Sequence, residues 1–240
     1  MTPLIELIDL SFTPEAVPVL SGITLQSSAR RIGIVGRNGS GKTSFARVLA
    51  GLVPPSRGHL RVSGVDVARN RKAALGVVGI LFQNPDQQII FPTVEEEIGF
   101  GLKQMKFAAP DVEAKTLEVL ERFGKRHWAR AAIHQLSQGQ RQLVCLMSVI
   151  VMAPKVIILD EPFAGLDIPT TQQLQRVLEG LEVTLVQITH DPHMLIDYDQ
   201  VLWIEAGRIR MDGPADVVCS AFTDRMMQLG EGDDLSDLTG

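Results

Sequence analysis

One stretch constrains this chain most: Arg31 to Leu49, RIGIVGRNGSGKTSFARVL, a short apolar strand, a loop with three glycines and the start of a helix. Ile32 to Val35 is strand-like, and Phe45, Val48 and Leu49 recur at helical spacing beyond the loop. Between them, Gly36, Gly41, Lys42 and Thr43 fit the phosphate-binding pattern G-x-x-x-x-G-K-[ST], with Gly39 as an additional glycine inside it. Glycines admit positive φ, so consecutive backbone N–H groups can turn inward as an anion-binding nest. Lys42 then reaches the terminal phosphates and Thr43 offers its hydroxyl to Mg²⁺. The helix that starts near Gly41 points its positive end at the same anion. A glycine turn without a ligand would match this pattern by chance on the order of one time in a thousand in a chain this size. The stretch predicts binding of a nucleoside triphosphate, with Gly36, Arg37, Asn38, Gly39, Ser40, Gly41, Lys42, Thr43 and Ser44 as candidate contacts.

Composition narrows the class. The chain has 240 residues, 45% hydrophobic and 21% charged, enough to bury a real core as one large domain with an inserted subdomain. The formal net charge is -5 and no long block of Lys or Arg is present, so no nucleic-acid partner is expected. Cys145 and Cys219 lie far apart, fit no metal-ligand spacing and read as reduced thiols. No apolar run reaches the ~18 to 20 residues needed to cross a bilayer. The first residues, MTPLIELIDLSF, carry acids where a signal peptide carries bases. The expectation is a chain that is neither exported nor anchored by itself.

In order, Leu4 to Leu10 and Val17 to Leu25 read as strands of a small antiparallel sheet beside the nucleotide loop. His59 to Val62 and Val77 to Phe82 are further strand candidates. A helical region then extends to about Gln135. Ser137 stands at the N-cap of a helix whose apolar positions are Leu143, Val144, Met147, Ile150 and Val151. The apolar strand Val156 to Leu159 ends in Asp160-Glu161-Pro162, and Thr184 to Ile188 ends in Thr189-His190-Asp191. Val201 to Glu205 and Arg208 to Met211 read as a hairpin, and EGDDLSDLTG as a frayed acidic tail.

A buried strand ending in two acids is costly unless the acids face a ligand. Behind a phosphate loop, one carboxylate can serve the Mg²⁺ shell and the other can orient or deprotonate an attacking water. With Gln83 after one strand, LSQGQ opening a helix, LDE at a third strand, AGLD beyond it and His190 ending a fourth, the chain resembles the ATP-binding-cassette (ABC) ATPases from about Leu4 to Val218. That resemblance implies an α/β fold: a P-loop NTPase, the ABC nucleotide-binding domain, with an antiparallel β subdomain and an inserted α-helical subdomain. The domain would span residues 1–222, with the helical subdomain at about 84–150 and an acidic tail at 223–240.

The resemblance also implies roles. Gln83 would contact Mg²⁺ and sense the γ-phosphate, Asp160 would join Thr43 in the Mg²⁺ shell, and Glu161 would be the general base. His190 would pin the γ-phosphate and align Glu161, and Ala164 to Asp167 would communicate between subunits. Ser137, Gly139 and Gln140 would close over the γ-phosphate held by a second copy, giving a head-to-tail dimer with two ATP molecules between loop and signature. Gln138 stands where most members carry glycine. The Tyr that usually stacks on adenine is absent from Ser11-Phe12-Thr13-Pro14. Phe12 either takes that place, where stacking contributes ~1 to 3 kcal/mol, or belongs to the core.

Phe82 to Gln88, FQNPDQQ, followed by TVEEEIGFG, is similar to the cytoplasmic ATPases of energy-coupling-factor (ECF) importers, which take up vitamins or transition-metal ions. The similarity implies a peripheral subunit at the cytoplasmic face of the inner membrane. Its partners would be a transmembrane coupling protein and a membrane substrate-binding protein. The short length looks most like the biotin-uptake branch, in which one kind of ATPase forms a homodimer. Glu95 to Glu97 either receive Arg side chains of the coupling protein or cap a helix, Thr93-x-x-Glu96 being a capping box; Asp86, Gln87 and Gln88 are the better groove candidates. A cassette ATPase acting on nucleic acid or ribosomes usually shows a long coiled-coil insertion or two cassettes. The segment from Gln83 to Ser137 is too short for the first, and one phosphate loop argues against the second. A regulatory nucleotide-binding module that does not cycle is the remaining alternative.

Overall fold

Strands buried on both faces tend to read as apolar runs; in the computed structural model, which describes residues 3–232, VIILD and TLVQI are buried at every position, TLVQI in spite of Thr184 and Gln187. The larger sheet contains β3 (Arg31–Val35), β5 (Val78–Leu81), β6 (Val156–Asp160), β7 (Thr184–Ile188), β8 (Gln200–Glu205) and β9 (Arg208–Gly213), in the order β5-β6-β7-β3-β8-β9. Its pairs are parallel except β8 with β9. A smaller antiparallel sheet places β1 (Ile5–Phe12) between β2 (Leu20–Ser27) and β4 (Arg57–Val62). The first of the two acids, Asp160, is the last residue of β6. The second strand begins at Leu20, three residues later than its apolar run suggests. Pro18 cannot donate to a ladder, and Pro14–Ala16 form a short turn of 3₁₀ helix ahead of it.

The helices close the faces. α1 (Lys42–Leu49) puts Phe45, Ala46, Val48 and Leu49 between the two sheets, against Ile32, Ile34, Val156 and Ile158. On the opposite face, Ile157 and Leu159 pack under α5 (Gln138–Ile150) and α6 (Ile168–Glu179). The short α2 (Arg71–Ala74) precedes β5. The helical subdomain consists of α3 (Val94–Gln104), α4 (Ala109–Arg122) and one side of α5. α5 thus belongs to two cores. Cys145, Leu146 and Val149 face the sheet, and Val144 and Met147 face α3 and α4.

Two expectations are corrected. The tail assigned to 223–240 begins as helix: α7 (Ala215–Gly232) runs unbroken through Phe222, and residues 233–240 lie outside the described residues. Val218, Phe222 and Met226 recur at i, i+4 and i+8, and the first two are buried with Trp203, while Met226 packs against them. The second correction concerns the acids in the first turn of α3. The Thr93 hydroxyl donates to the Glu96 carboxylate (2.5 Å) and makes no side-chain cap, so no capping box forms. Glu97, 5% exposed, accepts instead the backbone N–H groups of Ile90 and Phe91 at 2.8 and 2.9 Å. It is therefore withdrawn from any external partner. Gln88 is committed in the same way, accepting from the Phe82 N–H and donating to the Cys145 carbonyl.

Removing that carboxylate leaves two half-buried donors unpaired, and such a loss typically costs ~1 to 3 kcal/mol. Glu97→Ala is expected to lower the free energy of urea unfolding by about 2 kcal/mol or more. A loss within a few tenths of a kcal/mol would mean that water serves these N–H groups equally well.

Candidate functional site

β3 delivers the chain to its phosphate loop at the carboxyl edge of the sheet, where ligands of α/β folds bind. Two glycines there are required by geometry. A Cβ on Gly36 would lie 2.3 Å from the Ile204 carbonyl oxygen, and Gly41 takes a left-handed conformation, φ 104°, as it opens α1. No side chain caps α1, so the positive end of the helix is left open to an anion. Lys42 is buried, and its Nζ donates to the carbonyls of Gly36 (2.7 Å) and Arg37 (3.0 Å). Burial pulls its pKa down, against the attraction of Glu161 and Asp160, which pulls it up. The Ser40 hydroxyl in the same loop is buried without a partner among the described residues. These features form a cradle suited to an oxyanion.

Asp160 closes the other side. It is 4% exposed, and burial raises its pKa; the Thr43 hydroxyl, donating to Oδ1 at 3.5 Å, pulls the other way. Among the described residues, no group of three or more His, Cys, Asp or Glu gathers to hold a metal. A hydroxyl and one half-compensated carboxylate beside an anion cradle are nevertheless the donor set Mg²⁺ uses, since it binds through one or two carboxylates plus phosphate oxygens and waters. Thr43 and Asp160 therefore fit the cation. Gln83 follows β5, whose Leu81 pairs with Leu159 of β6, so it leaves the sheet on the same edge as Asp160 with its side chain exposed.

Glu161 sits just past that edge at φ 49°, a strained conformation for a residue with a side chain. Its N–H is held by the Ile188 carbonyl at 3.0 Å. Its carboxylate, 13% exposed, meets His190 Nδ1 at 2.9 Å. The two residues assigned to water activation are thus brought together from β6 and β7.

The signature residues lie elsewhere. Ser137 and Gln140 form a reciprocal capping box at the start of α5: the Ser137 hydroxyl accepts from the Gln140 N–H, and Gln140 Oε1 accepts from the Ser137 N–H. A Cβ on Gly139 would lie 2.3 Å from Thr170 Cγ2, so a larger residue there requires the Thr170 side chain of α6 to move. Ser137, Gly139 and Gln140 border an open cavity of about 500 Å³, whereas Gly36, Arg37, Asn38 and His190 border a different one of about 620 Å³. Phe12 ends β1 opposite Leu20, half-buried against the core that includes α1. Sequence reading overlooked Gln142, a buried polar residue one turn beyond Gln138. The signal was present, because position 142 falls on the side of α5 that Cys145, Leu146 and Val149 make apolar.

A P-loop nucleotide-binding domain is therefore defined by its sheet edge, cradle and acid pair. The family model described as ABC transporter matches residues 21–164, and the chain belongs to that family: it is an ATP-binding, ATP-hydrolysing subunit of an ABC transporter. Among curated relatives, the biotin transport ATP-binding protein BioM of Rhodobacter capsulatus is 49% identical over 211 residues, 88% of this chain and 90% of that one. The energy-coupling factor transporter ATP-binding protein EcfA of Methanothermobacter thermautotrophicus is 32% identical over 219 residues, 88% of this chain and 70% of its own length. The solved structure of cbiO1 from Clostridium perfringens, described as part of the ABC transporter complex cbiONQ, superposes with a TM-score of 0.79. It is 28% identical, with 95% of this chain and 96% of that one covered.

The raised pKa of Asp160 carries a stability consequence. The folded protein holds the Asp160 proton more tightly than the unfolded chain, so stability falls as pH rises from the unfolded pKa through the folded one. Above both, the full penalty of a buried carboxylate is present. Asp160→Asn is expected to raise the thermal midpoint of the nucleotide-free protein at pH 7, with the gain fading as pH drops below the ordinary aspartate range. A midpoint lower than wild type at pH 7 would show that the carboxylate is net stabilising.

Proposed function

We propose that this chain is the ATPase subunit of an ECF-type importer at the cytoplasmic face of the membrane, energising uptake of a vitamin, with biotin the first candidate. The observation that carries the hydrolytic part is the Glu161–His190 pair set beside the phosphate cradle. The Lys42 ammonium and the first N–H groups of α1 hold the β- and γ-phosphates of ATP. Mg²⁺, held by Thr43 and Asp160 and approached by Gln83, neutralises phosphate charge when bound. Glu161 takes the proton of the attacking water, and His190 holds the Glu161 carboxylate in place. Phe12 offers only its exposed part to the adenine.

Hydrolysis requires a closed site, and here Ser137 and Gly139 are supplied by a second copy in a head-to-tail dimer. The start of α5 brings its positive end to the γ-phosphate of that copy. ATP then favours the closed pair and release of ADP and phosphate the open one. A cavity of about 350 Å³ between the sheet and the helical subdomain, bordered by Leu52, Leu75, Ile90, Phe100 and Met152, is suited to an apolar helix end of a transmembrane coupling protein. Leu52 and Ile90 are 45% and 68% exposed there. The assignment to biotin rests on the relative in Rhodobacter capsulatus and passes to this chain through sequence identity. A separate membrane protein would bind the solute. Among the described residues no helix is long and apolar enough to cross a membrane.

Glu161→Gln is expected to keep ATP affinity and lower turnover ~10² to 10⁴-fold, measured as phosphate release. Unchanged turnover would remove Glu161 from its role. The tagged chain, purified from detergent-solubilised membranes, should bring small integral membrane proteins with it, one of them retaining radiolabelled biotin. Co-purification with a ribosome or with no membrane protein contradicts the importer assignment.

A further inference from the structure

α5 carries a polar row that makes none of the proposed nucleotide contacts. Gln138 and Gln142 lie one helical turn apart, and the same side of the helix continues into the core as Cys145, Leu146 and Val149. Gln142 is 2% exposed. Its Nε2 donates to the Phe82 carbonyl at 3.2 Å and reaches the Pro162 carbonyl at 3.5 Å. Phe82 immediately precedes Gln83, and Pro162 immediately follows Glu161. The Oε1 of the same amide is buried without a hydrogen-bond partner. An apolar side chain of similar volume would leave no such atom, so a packing role alone does not favour glutamine here.

The place of these bonds is informative. β5 and β6 are held together by their ladder as far as Leu81 and Leu159. Beyond that pair the two chains part, one toward Gln83 and the other toward Glu161. One amide donating to both carbonyls replaces the missing rung. Gln138 adds a second tie: its Nε2 donates to the Ala164 carbonyl at 3.3 Å, and the Ala164 N–H donates to the Glu161 carbonyl at 3.1 Å. Glu161 itself is held at positive φ, which persists only where surrounding bonds over-determine it.

We propose that Gln142, with Gln138 as its exposed companion, is a positioning residue for ATP hydrolysis, fixing the backbone of Glu161 relative to that of Gln83 and making both follow α5. The proposal rests on the assignment of Glu161 as the base. Because the Ser137–Gln140 box sits at the head of the same helix, whatever displaces that end is transmitted to the base and to Gln83 together.

The test uses the full-length chain, with phosphate release and binding of a fluorescent ATP analogue measured side by side. Gln142→Met removes both donations at similar volume and is expected to lower kcat ~10 to 100-fold, with KM and nucleotide affinity within about twofold. Gln142→Glu donates only when protonated, so its kcat should rise as pH is lowered from about 8 to 6 relative to wild type, which the Met variant should not do. Gln138→Ala, at an exposed position, should lower kcat severalfold with affinity unchanged, which keeps the test available if the core variants fail to fold. Wild-type kcat in Gln142→Met or in Gln138→Ala overturns the proposal, as does a loss of kcat matched by an equal loss of affinity. Glu161→Gln is run alongside. Turnover retained there overturns the assignment of the base and this proposal with it, whereas turnover lost there but kept in the glutamine variants overturns this proposal alone.

Discussion

Charge held under burial at the carboxyl ends of β3 and β6 is the constraint on which the rest of the structure depends. Lys42 and Asp160 are both nearly inaccessible, and burial works against the charged form of each. Neither arrangement would persist in a protein selected only for stability. The surroundings make it tolerable. Lys42 donates to two loop carbonyls, Asp160 receives the Thr43 hydroxyl, and the uncapped start of α1 leaves an electropositive space beside them. A polyanion with a divalent cation would satisfy every one of these groups at once, so the geometry alone suits a phosphate ligand.

α5 is the second organising element, and it acts by sharing itself between two cores. One side packs on the sheet that carries Asp160 and Glu161, and the other on α3 and α4. Its head is closed by the Ser137–Gln140 box, and its inner row of glutamines reaches the turn after Glu161 and the strand end before Gln83. A helix placed in this way cannot rotate without disturbing both the helical subdomain and the turn after β6. Close packing makes that coupling stiff.

Much of this was legible in the sequence, for physical reasons. VIIL announces a buried strand because all four residues are apolar, and the loop from Gly36 to Thr43 is readable because few residue types can adopt its backbone. Ser137 was readable as a cap because it stands just before the apolar periodicity of a helix begins. What escaped was set by partners that spacing alone does not specify. Thr93 and Glu96 have capping-box spacing, but the hydroxyl turned to the carboxylate, and the acceptor role passed to Glu97 through two N–H groups of the preceding loop. The continuation of α7 past Phe222 depends on a groove beside Trp203 that local composition does not reveal. Gln142 stood on the apolar side of α5, but the two carbonyls that explain it come from Phe82 and Pro162, far from it in the chain.

Gly36 and His190 line one cavity and Ser137 and Gly139 another, which agrees with the proposal that one chain holds half of each ATP site. The most direct measurement is the molar mass in solution, by sedimentation equilibrium, of a chain in which Glu161→Gln has stopped turnover. With ATP and Mg²⁺ the mass should double, and it should return to that of one chain when Mg²⁺ is chelated. A mass that stays at one chain at saturating ATP–Mg²⁺ would contradict the account.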